Sequence, residues 1–201
     1  MGRDNSLMWF PEKEPVNASK FTDRGSLFGA LPKGGAGVEV GVQRGEFSAE
    51  LLRAAQPQVL FLVACWQAQA PEAVGHDETA NVPQEVQDAL YASVLQRFAN
   101  YSHVMVIRDF SAPAASRFKD AIFDWVYIDA NHLRCYDDMV AWWPKVKPGG
   151  YMLGHDYMVL NDCITVKPAV DLWALERNLK VTATVEDYPN WLIYKGTPYD
   201  A

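Results

Sequence analysis

The stretch that decides the fold contains Phe-Asp-Trp-Val-Tyr-Ile-Asp-Ala-Asn-His at residues 123–132 and Lys-Pro-Gly-Gly-Tyr-Met-Leu-Gly-His-Asp-Tyr at residues 147–157. Residues 125–128 form a short apolar run rich in β-branched and aromatic side chains, which predicts a buried strand. Residues 136–143 place apolar side chains at helical spacing, and the Lys-Pro-Gly-Gly turn is expected to close this helix. The apolar run at residues 151–153 predicts a second strand. A strand, a helix and a strand in succession indicate a crossover unit in a parallel sheet.

Each of these two predicted strands is followed by an acid, Asp129 after the first and Asp156 after the second. Ligands of open parallel sheets bind outside the carboxyl ends of the strands, so both acids, with His132 and His155, are expected to face one crevice. Simpler roles are open for each residue. Asp129 suits a helix cap or turn, His132 could cap the helix that follows, and His155 could be a hydrogen-bonded structural histidine.

Composition limits the class of protein. The chain has 201 residues, 49% hydrophobic and 21% charged, which fits one globular domain. Its net charge of −7 argues against nucleic acid or an anionic membrane as the main partner. Three widely spaced cysteines predict reduced thiols and a cytoplasmic location, and no membrane span or signal peptide is expected. Homo-oligomer formation is left open.

A glycine-rich turn is predicted directly after the first strand, between a strand at residues 38–40 and a helix at residues 47–55. Gly41 and Gly45 allow positive φ angles and a close approach of ligand to backbone. The spacing is not the G-x-G-x-x-G of dinucleotide-binding proteins. Glu39 before the turn favours a ligand that carries a positive charge. The alternative is a tight connection without a ligand.

The remaining pattern completes an α/β fold. Further strands are predicted at 59–63, 104–107, 180–185 and 191–195, and further helices at 82–98, 112–118 and 166–178. The last two strands are too close for a crossover, so they are expected to form an antiparallel hairpin. The prediction is a Rossmann-like sheet of seven strands, mostly parallel, with helices on both faces. Residues 1–34 are predicted as an N-terminal arm or lid, and residues 35–201 as one domain.

With these elements placed, the chain resembles the class I S-adenosylmethionine-dependent methyltransferases. The resemblance is strongest to the small O-methyltransferases that include metal-dependent antibiotic sugar methyltransferases. It covers about residues 35–195 and depends on segments 38–48, 127–132, 142–150 and 154–157. It implies transfer of a methyl group to a hydroxyl of a small molecule, such as a sugar or a glycosylated natural product.

The resemblance also implies roles for individual residues. The turn from Gly41 to Gly45 would hold the methionine end of the cofactor, with Glu39 at its ammonium group. Asp109 would bind the adenine amino group. The full set of predicted cofactor-binding residues is Glu39, Gly41, Gly45, Ser48, Ala64, Trp66, Asp109 and Asp129.

A divalent cation, Mg²⁺ or Mn²⁺, is the second implied cofactor. Asp129 and Asp156 would bind it, and His155 is a further candidate ligand. His132 would act as the general base, with Asp129 as the second catalytic residue. Asp137 and Asp138 are predicted to have no part in the site, because acids are common in the first turn of a helix.

Two departures from the family pattern bear on function. Ala64 stands where the family places an acid that binds both ribose hydroxyls, and Gln67 is a candidate to replace it. His155 stands where the sugar enzymes carry a carboxylate. A methyltransferase-fold binding protein with weakened or lost cofactor binding is therefore an alternative, whereas the missing glycine fingerprint counts against a nicotinamide-dependent oxidoreductase. Trp9, Trp66 and Tyr157 are candidates for an aromatic wall of the crevice.

Overall fold

The computed structural model describes residues 14–74, 82–160 and 165–197. The predictions for Trp9 and for the third cysteine, Cys163, fall outside these described residues. No helix within them has both the length and the apolar character that crossing a membrane requires.

One sheet of seven strands forms the centre of the protein, in the order β3-β2-β1-β4-β5-β7-β6. The strands are β1 Ala36–Val40, β2 Val59–Ala64, β3 Val104–Arg108, β4 Phe123–Ile128, β5 Val146–Gly154, β6 Val181–Ala183 and β7 Trp191–Tyr194. β1 to β5 pair in parallel, whereas β7 pairs antiparallel with both β5 and β6. The predicted fold class, with its antiparallel pair at the C-terminal end, is confirmed.

Helices cover both faces of this sheet. They are α1 Arg24–Ala30, α2 Glu46–Ala55, α3 Pro71–Val74, α4 Gln84–Phe98, α5 Ser111–Ser116, α6 Cys135–Trp142 and α7 Val166–Leu175. Side chains of β4 alternate between the faces, because successive residues of a strand point to opposite sides. Trp125 and Tyr127 join the core formed with α1, α2 and α4, and Val126 and Ile128 join the core formed with α5, α6 and α7.

The described part of the predicted N-terminal arm packs on the sheet. Asp23 caps α1 by accepting a hydrogen bond from the backbone N–H of Ser26 at 2.8 Å. Phe28 is fully buried, and its ring makes edge contacts with Trp125 and Tyr127 at centroid distances of 5.6 and 5.2 Å. Aromatic pairs in this geometry add to the stabilisation from burial. This helix therefore belongs to the core beneath β4.

The predicted turn at residues 147–150 is wrong, because the structure places these residues inside β5 as a bulge. Phe123 pairs with Val146 and Trp125 pairs with Tyr151, so the four residues 147–150 of β5 are opposite the single residue Asp124 of β4. Glycines make the bulge feasible. Two backbone hydrogen bonds join the bulge to Lys195, which follows β7. The N–H of Gly149 donates to the carbonyl of Lys195 at 2.6 Å, and the N–H of Lys195 donates to the carbonyl of Gly150 at 2.9 Å.

Smaller differences concern the ends of elements. The predicted helix at 166–178 ends at Leu175, the predicted strand at 180–185 is reduced to Val181–Ala183, and the predicted helix at 82–98 begins at Gln84. Element ends are set by caps and long-range pairing as well as by local periodicity. The polar segment that follows β2 also contains a short helix, α3, that the sequence did not predict.

Candidate functional site

A cavity of about 750 Å³ lies at the carboxyl ends of the parallel strands. Its wall includes the residue that follows each of β1, β3 and β4, which are Gly41, Asp109 and Asp129, and Ala64 at the end of β2. This is the edge at which open parallel sheets bind ligands. Its volume is in the range of small-molecule sites.

The acids predicted after β4 and β5 lie together at one side of this cavity. Oxygen atoms of Asp129 and Asp156 and a ring nitrogen of His132 are all within 4.8 Å of one another. His132 Nε2 is 3.1 Å from Asp156 Oδ2 and 3.9 Å from Asp129 Oδ1. The parallel ladder fixes these strand ends, because the backbone N–H of Asp129 bonds to the carbonyl of Val40 at 2.7 Å.

Local structure also positions His132. It begins a short 3-10 helix, His132–Arg134, whose N-cap Asn131 accepts a hydrogen bond from the backbone N–H of Leu133 at 3.0 Å. The side-chain amide of Asn131 donates to the carbonyl of Ala73 at 2.6 Å. The Asn131 cap and its bond to Ala73 therefore fix the turn that carries the His132 imidazole beside the strand ends.

Ionisation in this group is coupled. Burial alone would lower the pKa of His132, but hydrogen bonds to Asp129 and Asp156 raise it to about 10. Burial would raise the pKa of Asp156, whereas its bonds to His132 and His155 lower it well below its ordinary value. At neutral pH His132 therefore holds a proton that it shares with the carboxylates.

The same group of atoms fits a divalent cation. Two carboxylates and an imidazole are a ligand set for Mn²⁺, Fe²⁺ or Zn²⁺ more than for Mg²⁺, which prefers oxygen ligands. His155 lies beside the same two acids. Its Nδ1 is 3.1 Å from Asp156 Oδ1 and 3.9 Å from Asp129 Oδ1, and its role as a metal ligand stays a prediction.

The predicted acid of the glycine turn is buried within the core. Glu39 is 3% exposed, and its carboxylate accepts a short hydrogen bond from the hydroxyl of Ser48. Burial raises the pKa of Glu39 to about 8 despite this bond, so the group is largely uncharged at neutral pH. Glu39, Ser48 and Gly45 do not line the cavity, and their assignment to the cofactor stays a prediction.

Gly41 does line the cavity, and its backbone has φ +105°. A Cβ atom added there would lie 1.9 Å from the carbonyl oxygen of Asp129. The glycine is thus required by the close approach of the β1 and β4 strand ends, whether or not a ligand binds beside it.

The end of β2 forms the next part of the wall. Trp66 is 2% exposed in a left-handed backbone conformation, and its indole N–H donates to the carbonyl of Gln43 at 3.1 Å. Gln67, the predicted replacement for the ribose-binding acid, is exposed and does not line the cavity. Gln69 does line it, with its side-chain amide 3.5 Å from the sulfur of Cys65.

Asp109 lines the cavity after β3, where adenine recognition is predicted. Its Oδ1 accepts the backbone N–H of Phe110 at 2.9 Å, and its Oδ2 forms an ion pair with Arg117. Tyr157 does not line the cavity, and its hydroxyl instead bonds to Asp171.

The cavity wall also contains a polar pair, Asp138 and Ser111, that was not predicted from the sequence. Asp138 is 4% exposed, although it was predicted as an ordinary first-turn acid. Burial raises its pKa to about 7, in spite of a hydrogen bond from Ser111. Its spacing of three and four residues from the buried Cys135 and Trp142 was the available signal, because residues so spaced share one helix face.

Comparisons with solved structures show the same fold at low sequence identity. A protein from Corynebacterium glutamicum aligns with 17% identity over 90% of this chain and 83% of its own, at a TM-score of 0.55. A candidate rRNA methylase from Clostridium thermocellum has 12% identity over 86% and 93%, at 0.62. A candidate methyltransferase from Streptococcus mutans, in complex with SAH, has 11% identity over 82% and 90%, at 0.58.

The family comparison is more specific. No curated protein is significantly similar to the sequence. The family model described as a methyltransferase domain matches residues 38–157, which is more than half of the chain and includes β1 to β5 and the acids after β4 and β5. The protein therefore belongs to this methyltransferase-domain family.

Proposed function

We propose that the protein is an O-methyltransferase that transfers a methyl group from S-adenosylmethionine to a hydroxyl of a small molecule, with assistance from a divalent cation. The observation that carries this proposal is the group formed by Asp129, His132 and Asp156 at the side of the cavity. Family membership supports the methyl donor. The group of three supports the choice of a hydroxyl acceptor, because it offers both a cation site and a proton acceptor.

The charge of the cavity supports a small neutral acceptor. Its wall carries five acids, and the basic side chains that line it are His132 and Arg134. Arg134 pairs with Asp137 at 3.1 Å, and His132 is held by the cluster. A polyanion would be repelled by such a wall. A neutral polyol, such as a sugar with two neighbouring hydroxyls, would not be.

Three residues at the side of the cavity would have separate roles in the reaction. Asp129 and Asp156 would hold the cation, which when bound would orient neighbouring acceptor oxygens and lower the pKa of the attacked hydroxyl. Without a cation His132 holds a proton. Beside a cation on Asp129 and Asp156, His132 would release that proton because the two positive charges oppose each other, and the neutral imidazole would then accept the proton of the acceptor hydroxyl. The enclosed strand ends position the acceptor and the donor, and such positioning supplies much of the rate of a displacement.

The test is turnover with S-adenosylmethionine and a panel of neutral polyols and catechols, with formation of S-adenosylhomocysteine as the readout. Activity should require Mn²⁺ or Mg²⁺, should be lost on chelation, and should fall at least about a thousandfold in Asp129→Asn. Asp137→Asn is the matched control, since the side chain of that acid is 62% exposed and pairs with neighbouring Arg134 at the surface. Full activity of Asp129→Asn, or activity in chelator, would refute the cation-assisted mechanism.

A second function is supported by a different observation. Ala64 lacks a ribose acceptor, and Glu39 is buried in a pair with Ser48. Both features are expected to lower the affinity for S-adenosylmethionine. They favour a binding protein that has the methyltransferase fold but no methyltransferase activity. Calorimetry with S-adenosylhomocysteine separates the two. Binding at micromolar concentration supports the enzyme, and no heat at millimolar concentration supports the binding protein.

A further inference from the structure

The most informative polar group outside the predicted site is the buried acid of α6. Asp138 lines the cavity beside Ser111, which follows β3 at the start of α5. The Ser111 oxygen accepts the indole N–H of Trp142 at 2.9 Å. Its hydroxyl proton is then directed to Asp138, and this bond holds the carboxyl group in one orientation.

Asp138 bonds to Ser111, which follows β3, whereas the Asp129 group lies where β4 ends. The sheet order places β3 three strand spacings from β4, which is about 14 Å. Ser111 follows β3 and Asp129 follows β4. An elongated ligand with its reacting end near Asp129 would therefore place its other end beside Ser111 and Asp138.

The predicted contact at that end, Asp109, already takes part in two interactions. One of its oxygens accepts the backbone N–H of Phe110, and the other pairs with Arg117. Asp138 is more deeply buried and faces the same cavity. With a pKa raised by burial to about 7, its carboxyl group can both donate and accept near neutral pH. An adenine ring offers the matching edge, an amino donor beside a ring-nitrogen acceptor.

We propose that Asp138, oriented by Ser111, binds the amino edge of the adenine ring of the methyl donor and sets the specificity of the cavity for this base. The proposal rests on the proposed function for the identity of the ligand. The contact with the adenine amino group is thereby assigned to Asp138 on α6, whereas the family resemblance assigns it to Asp109, the acid after β3. Sites built to bond a ligand's amino group reject analogues that lack it, because a buried partner is then left unpaired.

The test is a thermodynamic cycle measured by calorimetry. S-adenosylhomocysteine is compared with the analogue that carries unsubstituted purine, which lacks only the amino group. In the wild type, loss of the amino group should weaken binding about tenfold. In Asp138→Leu, a near-isosteric change, the two ligands should bind equally. Asp138→Asn keeps an acceptor oxygen and should restore most of the difference.

Controls and alternatives use neighbouring residues. Asp137→Asn, on the same turn of α6, should keep the wild-type ratio. If Asp138→Leu does not unfold cooperatively, Ser111→Ala should reduce the ratio about threefold by releasing the carboxyl group. An unchanged ratio in these variants, or a ratio that collapses only in Asp109→Asn, would overturn the inference and leave the proposed function standing. Absence of binding of either ligand to the wild type would overturn both.

Discussion

Two neighbouring strands, β1 and β4, each carry an acid near their carboxyl ends, and the two acids differ in their surroundings. Glu39 lies within β1, so α1 and α2 cover it and its bond to Ser48 is buried. Asp129 is the first residue after β4 and opens to the cavity beside His132. The first carboxyl group is largely neutral, and the second belongs to a charged group.

Glu39 pairs with Tyr127, so two positions along the strands decide between an acid buried in the core and an acid that faces the cavity. An acid inside a parallel strand is covered by helices on its face of the sheet, and desolvation then favours its neutral form. An acid one step past the strand meets the crevice and the acids of neighbouring strands. The two regions are also joined, because Gly41 at the end of β1 touches the backbone of Asp129. The predictions below test this division.

The largest effect is expected from Gly41→Ala, which affects both regions at once. The added methyl group would overlap the carbonyl of Asp129, and the φ of +105° is unfavourable for alanine. We expect a loss of about 4 kcal/mol in the free energy of unfolding, measured by chemical denaturation. Gly45→Ala is the matched control at about 1 kcal/mol, because its φ is +72° but the nearest atom is a movable Phe98 ring carbon at 3.0 Å. Equal losses in both variants would contradict the close contact.

The second prediction concerns cation binding at the β4 end alone. Asp156→Asn should weaken Mn²⁺ binding about a hundredfold, because it removes a charged ligand from the group of three. Glu39→Gln should leave Mn²⁺ affinity within about twofold of the wild type. Calorimetric titration of the folded variants measures both. Similar losses in the two variants would mean that the two regions act as one electrostatic unit.

The third prediction uses the raised pKa of Glu39. Its ordinary value is 4.5 and its folded value is about 8, so between these values the folded state holds a proton that the unfolded state has lost. Stability contributed by this group is therefore complete at low pH and falls as pH rises. From about pH 5 to about pH 6.5 the wild type should lose about 2 kcal/mol more than Glu39→Gln.

Between about pH 5 and about pH 6.5 the pH dependence of stability reports Glu39 and not His132. The pKa of His132 is raised from 6.5 to about 10, so its contribution is complete below 6.5 and is lost only as pH rises through the folded value. Urea denaturation at the two pH values is the measurement. If the wild type and Glu39→Gln show the same pH dependence, Glu39 is not the buried neutral acid that its surroundings indicate.

Much of this fold follows from local sequence, because strands buried on both faces must be apolar along their length. The run at 59–63 predicted β2 within one residue of its observed bounds, Val59–Ala64. The bulge of β5 did not follow, since Lys-Pro-Gly-Gly is typical of a turn. It is held in the sheet by long-range bonds, including that from Gly149 to Lys195.

The site divides in the same way. The meeting of Asp129 and Asp156 was predictable, because the ends of adjacent parallel strands share an edge. The burial of Asp138 was not, since it depends on Ser111 from another helix. The distances of 3.1 Å and 3.9 Å from His155 to the two acids also depend on the backbone at Asp156, which turns with φ 53°.

The smallest effect is expected at the end of β2, where no acid faces the cavity. Ala64→Glu would add a carboxylate beside the β2 end, where the resemblance to S-adenosylmethionine-dependent methyltransferases places the ribose hydroxyls. Because a charged hydrogen bond contributes modestly after desolvation, we expect S-adenosylhomocysteine to bind about tenfold more tightly, measured by calorimetry. Gln67→Glu is the control, since its exposed side chain lies away from the cavity and should change affinity less than about twofold.

An unchanged affinity in Ala64→Glu would mean that the ligand does not pass the β2 end. It would also count against an elongated donor that stretches from Asp129 to Asp138, because β2 lies between β3 and β1 in the sheet. The opposite result is tighter binding in Ala64→Glu, together with equal affinities of Asp138→Leu for S-adenosylhomocysteine and its unsubstituted-purine analogue. It would place the ribose and the base at separate positions along one edge of the sheet. The contrast between Glu39 and Asp129 would then hold for the whole cavity. Acids inside the strands would be structural, and the acids that contact ligands would lie after the strands or on the helices that face the cavity.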